Sequence, residues 1–303
     1  MRSKLAALCT GLWFVACAAP APVNDTESNA EAWERLYASG SRWSEGNSDA
    51  SALYFREALL KARAAFPAQD PRLVRSELAL GEALRRQGKV DEAEPLLVAA
   101  RDGARRASPP QPELLADVLE SLGLLRVMQG ELLEAEAAFI ECAQLRLEHL
   151  DPAAPETAEG IVQLAEVQRH LGKHDLAEAN LLEAAAIYGE HGNRYALRVA
   201  TIQNNLGLLY QETGRFVIAE RQHRQAMTVA RQLGGENSPN AAIYARGLAD
   251  LYVRQDKLVE ARTLYQGALA VFKRTLGPDH IETRMTEARL EPVDSLADSG
   301  GAP

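Results

Sequence analysis

Glycine returns through the middle of the chain at a fixed interval. Gly88, Gly130, Gly172 and Gly214 lie 42 residues apart, and each separates one helix-compatible stretch from another that opens on a charged residue. The same step leads forward to Asp256 and backward to Gly46. Each of these six positions is expected to close a helix in the left-handed conformation, where Gly is cheapest and Asp tolerable. One spacing held across so many loops means a repeated structural unit rather than one globular core.

Other columns keep the register. Leu80, Leu122, Leu164, Leu206 and Leu248 precede the small residues Gly81, Gly123, Ala165, Gly207 and Ala249, which stand seven before each anchor. Five after the anchor come Ala93, Ala135, Ala177, Ala219 and Ala261, and seven further on Ala58, Ala100, Cys142, Ala184, Ala226 and Ala268. Between these sits a larger residue: Phe55, Leu97, Phe139, Leu181, His223 or Tyr265. Small residues let two antiparallel helices approach, and the large one fills the space against a neighbouring unit. With 47% hydrophobic residues the chain can bury a core, and with 6% aromatics and many Ala and Leu it favours helix. Its net charge of −9 argues against nucleic acid as a partner.

Leu followed by Gly/Ala, Ala twelve residues on and Ala another seven on resembles the tetratricopeptide repeat (TPR). The 42-residue period, Asn204-Asn205-Leu206-Gly207-Leu208-Leu209-Tyr210 and Leu276-Gly277-Pro278-Asp279-His280 are similar to its kinesin-light-chain subclass. The resemblance implies an all-α fold, a right-handed α-solenoid of stacked antiparallel helix pairs (TPR superhelix). It covers about residues 46–290. About six helix pairs plus a capping helix are expected over 33–290, with loops carrying Pro71, Pro112, Pro155 and Pro239, a short final helix within 282–290 and a disordered tail over 291–303.

In that family the first helices line a concave groove that holds a peptide. Carried over, its positions are Arg75, Leu78, Glu82 and Arg85; Asp117, Glu120, Leu124 and Val127; Glu159, Val162, Glu166 and Arg169; Thr201, Asn204, Leu208 and Gln211; and Ile243, Arg246, Asp250 and Val253. Members that clamp a peptide carboxylate use Lys and Asn where this chain has Leu78 with Glu82 and Glu120 with Leu124, so that mode is not expected. A mixed polar and apolar peptide, or an adjacent folded protein, suits the alternation better.

The N-terminus carries Arg2 and Lys4 and then an uncharged run from Leu5 to Ala16, the length of a signal peptide and too short to span a bilayer. It ends Phe14-Val15-Ala16-Cys17, which resembles a bacterial lipobox with Phe14 where Leu is usual. That resemblance implies a signal peptide over 1–16, a covalent lipid on Cys17 and a flexible tether over 17–32. With Ala18 rather than Asp after the Cys, it also implies an outer-membrane lipoprotein. Ala16-Cys17-Ala18 is equally an A-x-A cleavage site, which leaves a periplasmic or secreted protein open. Loss of Arg2 and Lys4 leaves 31 basic against 42 acidic residues, a net −11, so attachment to anionic lipid must come from the acyl chains.

No phosphate-binding loop, His-Glu-x-x-His or Gly-x-Ser-x-Gly occurs. His170 and His174 are separated by the helix-ending Gly172 and do not share a face, and Cys142 stands in a small-residue packing column. The expectation is a non-enzymatic protein–protein interaction scaffold with no metal, no small-molecule substrate and no cofactor beyond the lipid. The alternative is a soluble adaptor that regulates or delivers to an enzyme complex.

Overall fold

The computed structural model of the chain describes residues 28–44, 46–149 and 151–299. The expected signal peptide, Cys17, most of the expected tether and residues 300–303 lie outside them. Among the described residues there are thirteen α-helices, one 3-10 turn (Gly192–Tyr195) and no strand. The helices pair as α1 (Asn29–Trp43) with α2 (Ser48–Ala65), α3 (Pro71–Arg86) with α4 (Val90–Arg105), and α5 (Pro112–Gln129) with α6 (Leu132–His149). Then come α7 (Pro155–His170) with α8 (His174–Glu190), α9 (Ala196–Glu212) with α10 (Phe216–Gly234), and α11 (Pro239–Arg254) with α12 (Leu258–Thr275), before a last helix α13 (Ile281–Ser299).

The anchors act as expected. Gly88, Gly130, Gly172 and Gly214 have φ of 74°, 78°, 73° and 76°, and Asp256, the sole non-Gly residue of the described chain with positive φ, has 59°. Each turn closes with the same backbone bond across it: Lys89 to Leu84, Glu131 to Arg126, Lys173 to Gln168, Arg215 to Tyr210 and Lys257 to Tyr252, at 2.8–2.9 Å. That bond satisfies a carbonyl the helix end leaves orphaned. Gly46 adjoins residue 45, which lies outside the described residues. The four prolines are not in loops. Pro71, Pro112, Pro155 and Pro239 each occupy the first turn of a first helix, where a missing N–H costs nothing. The 3-10 turn replaces this device before α9.

The packing columns are buried throughout. Ala93, Ala135, Ala177, Ala219 and Ala261 are fully buried, as are Leu97, Phe139 and His223 of the large-residue column. A Cβ on Gly123 would stand 2.7 Å from the Phe139 ring, so the close approach requires a residue without one. Two large apolar clusters result, one spanning α1 to α5 and the other α7 to α13.

Both ends differ from expectation. α1 starts at Asn29, inside the expected tether, because Ser28 and Glu31 form a reciprocal capping box. At the other end α13 runs through Pro292 to Ser299, although 291–303 reads as a disordered tail. Leu290 and Val293 bury against the core, and Arg262 on α12 donates to Asp294 at 2.5 Å, which holds the helix beyond its proline.

Candidate functional site

First helices touch their counterparts in the next unit: α3 with α5, α7 with α9, α9 with α11, and α11 with α13. Second helices make no comparable contacts with one another. The first helices therefore form the inner side of the curve. At its centre a cavity of about 300 Å³ opens between α7, α9 and α11. Of the groove positions carried over, Glu159, Val162, Glu166, Thr201, Asn204 and Ile243 line it.

Few of the predicted residues are uncommitted. Arg75 and Glu166 are exposed and have no ion-pair or hydrogen-bond partner among the described residues. Glu82 accepts from Ser121 at 2.7 Å. Arg85 is half-buried, its Nε enclosed without an acceptor, and burial lowers its pKa. Glu159 takes Arg198 at 3.1 Å and the Tyr188 hydroxyl at 2.9 Å. Arg169 pairs with Glu212, Arg246 with Glu282 at 2.5 Å, and Asp250 with Arg289 and the Tyr265 hydroxyl. Gln211 is buried.

Asp117 and Glu120 are held by a residue from a second helix. Arg146 of α6, its side chain 4% exposed, lies 2.5 Å from Glu120 and 3.3 Å from Asp117, and donates to the Glu156 carbonyl at 2.7 Å. Burial pushes both carboxyls upward and Arg146 works against it. This cluster sits where the two apolar clusters part.

Asn204 is turned partly inward. Its Oδ1 accepts from His223 Nδ1 at 2.9 Å, which fixes the tautomer and leaves Nε2 enclosed with no donor. The ring is walled by Gly207 and Gly247, at which a Cβ would come within 2.7 and 2.9 Å. No charge compensates the burial, and the imidazole is pushed down to about 4. Cys142 is wholly buried, its thiol pushed up to about 12 by burial, as suits a packing residue. His170 sits beside Arg169, whereas His174 faces Glu212.

A match to the tetratricopeptide repeat family covers residues 198–266, which are α9, α10, α11 and half of α12. Solved structures extend the likeness over the rest. BtubC (BKLC) from P. vanneervenii is 22% identical with a TM-score of 0.59, covering 81% of this chain and 92% of that one. The chain folds as a TPR solenoid. The kinesin-light-chain TPR-like repeats of Podosopora anserina, 20% identical with a TM-score of 0.57, cover 68% of this chain and 98% of their own. A Rap protein complexed with Competence and Sporulation Factor is 15% identical with a TM-score of 0.62, covering 89% and 72%. Among curated protein sequences none matches the chain.

Within the TPR register, two groups escaped the sequence reading. Arg198 and Asn240, sixteen before their anchors, and Gln163 and Asn205, nine before theirs, also line the central cavity. The second group is a ladder between units. Six residues after Gly88, Gly130, Gly172 and Gly214 a second helix carries Glu94, Glu136, Glu178 and Glu220. These reach the following first helix or its turn at Arg126 (2.8 Å), Lys173 (2.6 Å), Tyr210 (2.7 Å) with Arg215 (2.7 Å), and Tyr252 (2.8 Å). At the last rung the signs reverse, Arg262 meeting Asp294. The acidic column was visible in the sequence; its partners, drawn from two different register positions, were not.

Proposed function

We propose that this chain is a non-enzymatic scaffold that gathers partner proteins on the inner face of its solenoid while a lipid on Cys17 holds it in the cell envelope, at the outer membrane. The observation that carries the scaffold reading is the central cavity, whose rim keeps Glu166, Asn205 and Asn240 without side-chain partners among the described residues, beside the apolar Val162 and Ile243. Uncommitted amides beside apolar side chains can meet a peptide main chain and its side chains together. The Rap structure solved with a bound factor supports use of this fold in binding. The lipid rests on the lipobox-like Phe14-Val15-Ala16-Cys17.

The experiment combines a fatty-acid label with membrane pull-downs. Wild type should carry the label and fractionate with membranes, and Cys17→Ser should lose the label. Glu166→Lys together with Arg75→Glu should lose partners that wild type retains, with helical content unchanged. An unlabelled soluble wild type would replace the lipoprotein with the secreted adaptor, and identical pull-downs would remove the inner face as the binding surface.

A further inference from the structure

The register continues into α13 and breaks there in two columns. Fourteen before the anchors stand Val74, Ala116, Ala158, Ala200 and Ala242, and seven before them Gly81, Gly123, Ala165, Gly207 and Ala249. These small residues admit the second helix of each unit. In α13 the same places hold Arg284 and Glu291, both exposed. A seventh second helix of the same kind cannot seat over two long charged side chains.

Every other charged side chain described on α13 is spent inward: Glu282 on Arg246, Glu287 on Lys273, Arg289 on Asp250 and Asp294 on Arg262. Arg284 and Glu291 alone have no partner among the described residues. Seven residues apart, they stand about 10 Å apart along the axis, too far to pair comfortably with each other. Beside them, opposite the buried Thr283, Thr286, Leu290 and Val293, runs an exposed stripe of Ile281, Met285, Ala288 and Pro292, with Ile281 60% exposed. Its spacing of four, three and four is that of a helix-packing face.

We propose that this outer face of α13 binds a second copy of the chain, the two α13 helices antiparallel about a twofold axis near residues 287 and 288. In an antiparallel pair the same flank of each helix meets its like, so Arg284 of one copy lies opposite Glu291 of the other, and the reverse. One operation thus closes two ion pairs and covers the apolar stripe, with Ala288 at the centre allowing close approach. A single helix pair buries little area, so the dimer is weak and concentration-dependent.

The test is sedimentation equilibrium on the full chain carrying Cys17→Ser, so that no acyl chain drives association. Mass should rise from monomer toward dimer with concentration and fall back in high salt. Arg284→Glu alone and Glu291→Arg alone should each raise the dissociation constant at least tenfold, and the two together should restore it. Circular dichroism confirms that each variant folds. A monomer at every concentration overturns the proposal, as does a dimer indifferent to the single reversals or one the double reversal fails to recover.

Discussion

His223 shows what a single residue can cost in a packing column. Its homologues in the register are Phe, Leu or Tyr, and it is as buried as they are. Its unfolded value is 6.5 and its folded one about 4. Between these the unfolded chain binds more protons, so stability is complete above 6.5 and falls as pH drops toward 4, by about 3 kcal/mol in all. His223→Phe should abolish that part of the pH dependence in urea titrations. At neutral pH it should cost about 1–2 kcal/mol, because Asn204 Oδ1 loses its donor. Asp256 offers the opposite case. It holds a φ of 59°, which glycine adopts without strain, so Asp256→Gly should raise stability by about 1 kcal/mol in the same titration. Both positions were legible in the sequence as departures from a column. The Asn204 bond was not, since the groove position carried over for Asn204 says nothing about which way its carboxamide turns.

At the scale of the helix, the spacing of small residues decides how closely two elements lie. Ala177 is fully buried where α8 meets its pair, and Ala177→Leu should lower stability by about 1–3 kcal/mol through overpacking. A thermal midpoint equal to wild type would mean that the column does not face a helix. Element boundaries were readable wherever a local signal sets them: the glycines that end first helices, the prolines that begin them. They were misread at the ends. Ser28 and Glu31 cap α1 through a bond that composition does not advertise amid a proline-containing stretch. In α13 a proline and many polar residues argue for fraying. Long-range contacts of Leu290, Val293 and Asp294 outweigh that local signal.

Across the whole molecule, the two large apolar clusters span α1 to α5 and α7 to α13. Between them stand smaller apolar clusters of α5, α6 and α7, with Phe139 and Leu164 among them, beside the ion cluster on buried Arg146. Arg146→Met should cost about 2 kcal/mol at neutral pH, chiefly by leaving half-buried Glu120 and the Glu156 carbonyl without their donor, since Asp117 is exposed. A carboxyl whose folded pKa exceeds its unfolded value binds more proton when folded, so such a chain gains stability as pH falls. The deficit of the variant should therefore shrink between pH 7 and 4, read by urea denaturation at each pH. The cluster was illegible in the sequence because Arg146 sits on a second helix and its partners on first helices of two units. The ladder between units carries a different consequence. Its interior rungs place glutamate on one side and a donor on the other, so any interior unit presents its neighbours with the same chemistry that they already meet. Gene duplication or loss of one interior unit would leave these junctions matched, and the solenoid could change length in a single mutational event. The terminal rung obeys another rule, since Arg262 suits Asp294 and would repel the Arg or Lys that answers glutamate elsewhere. The last helix is thereby matched to the one unit that carries Arg262, and a unit inserted directly before it would have to bring that arginine along.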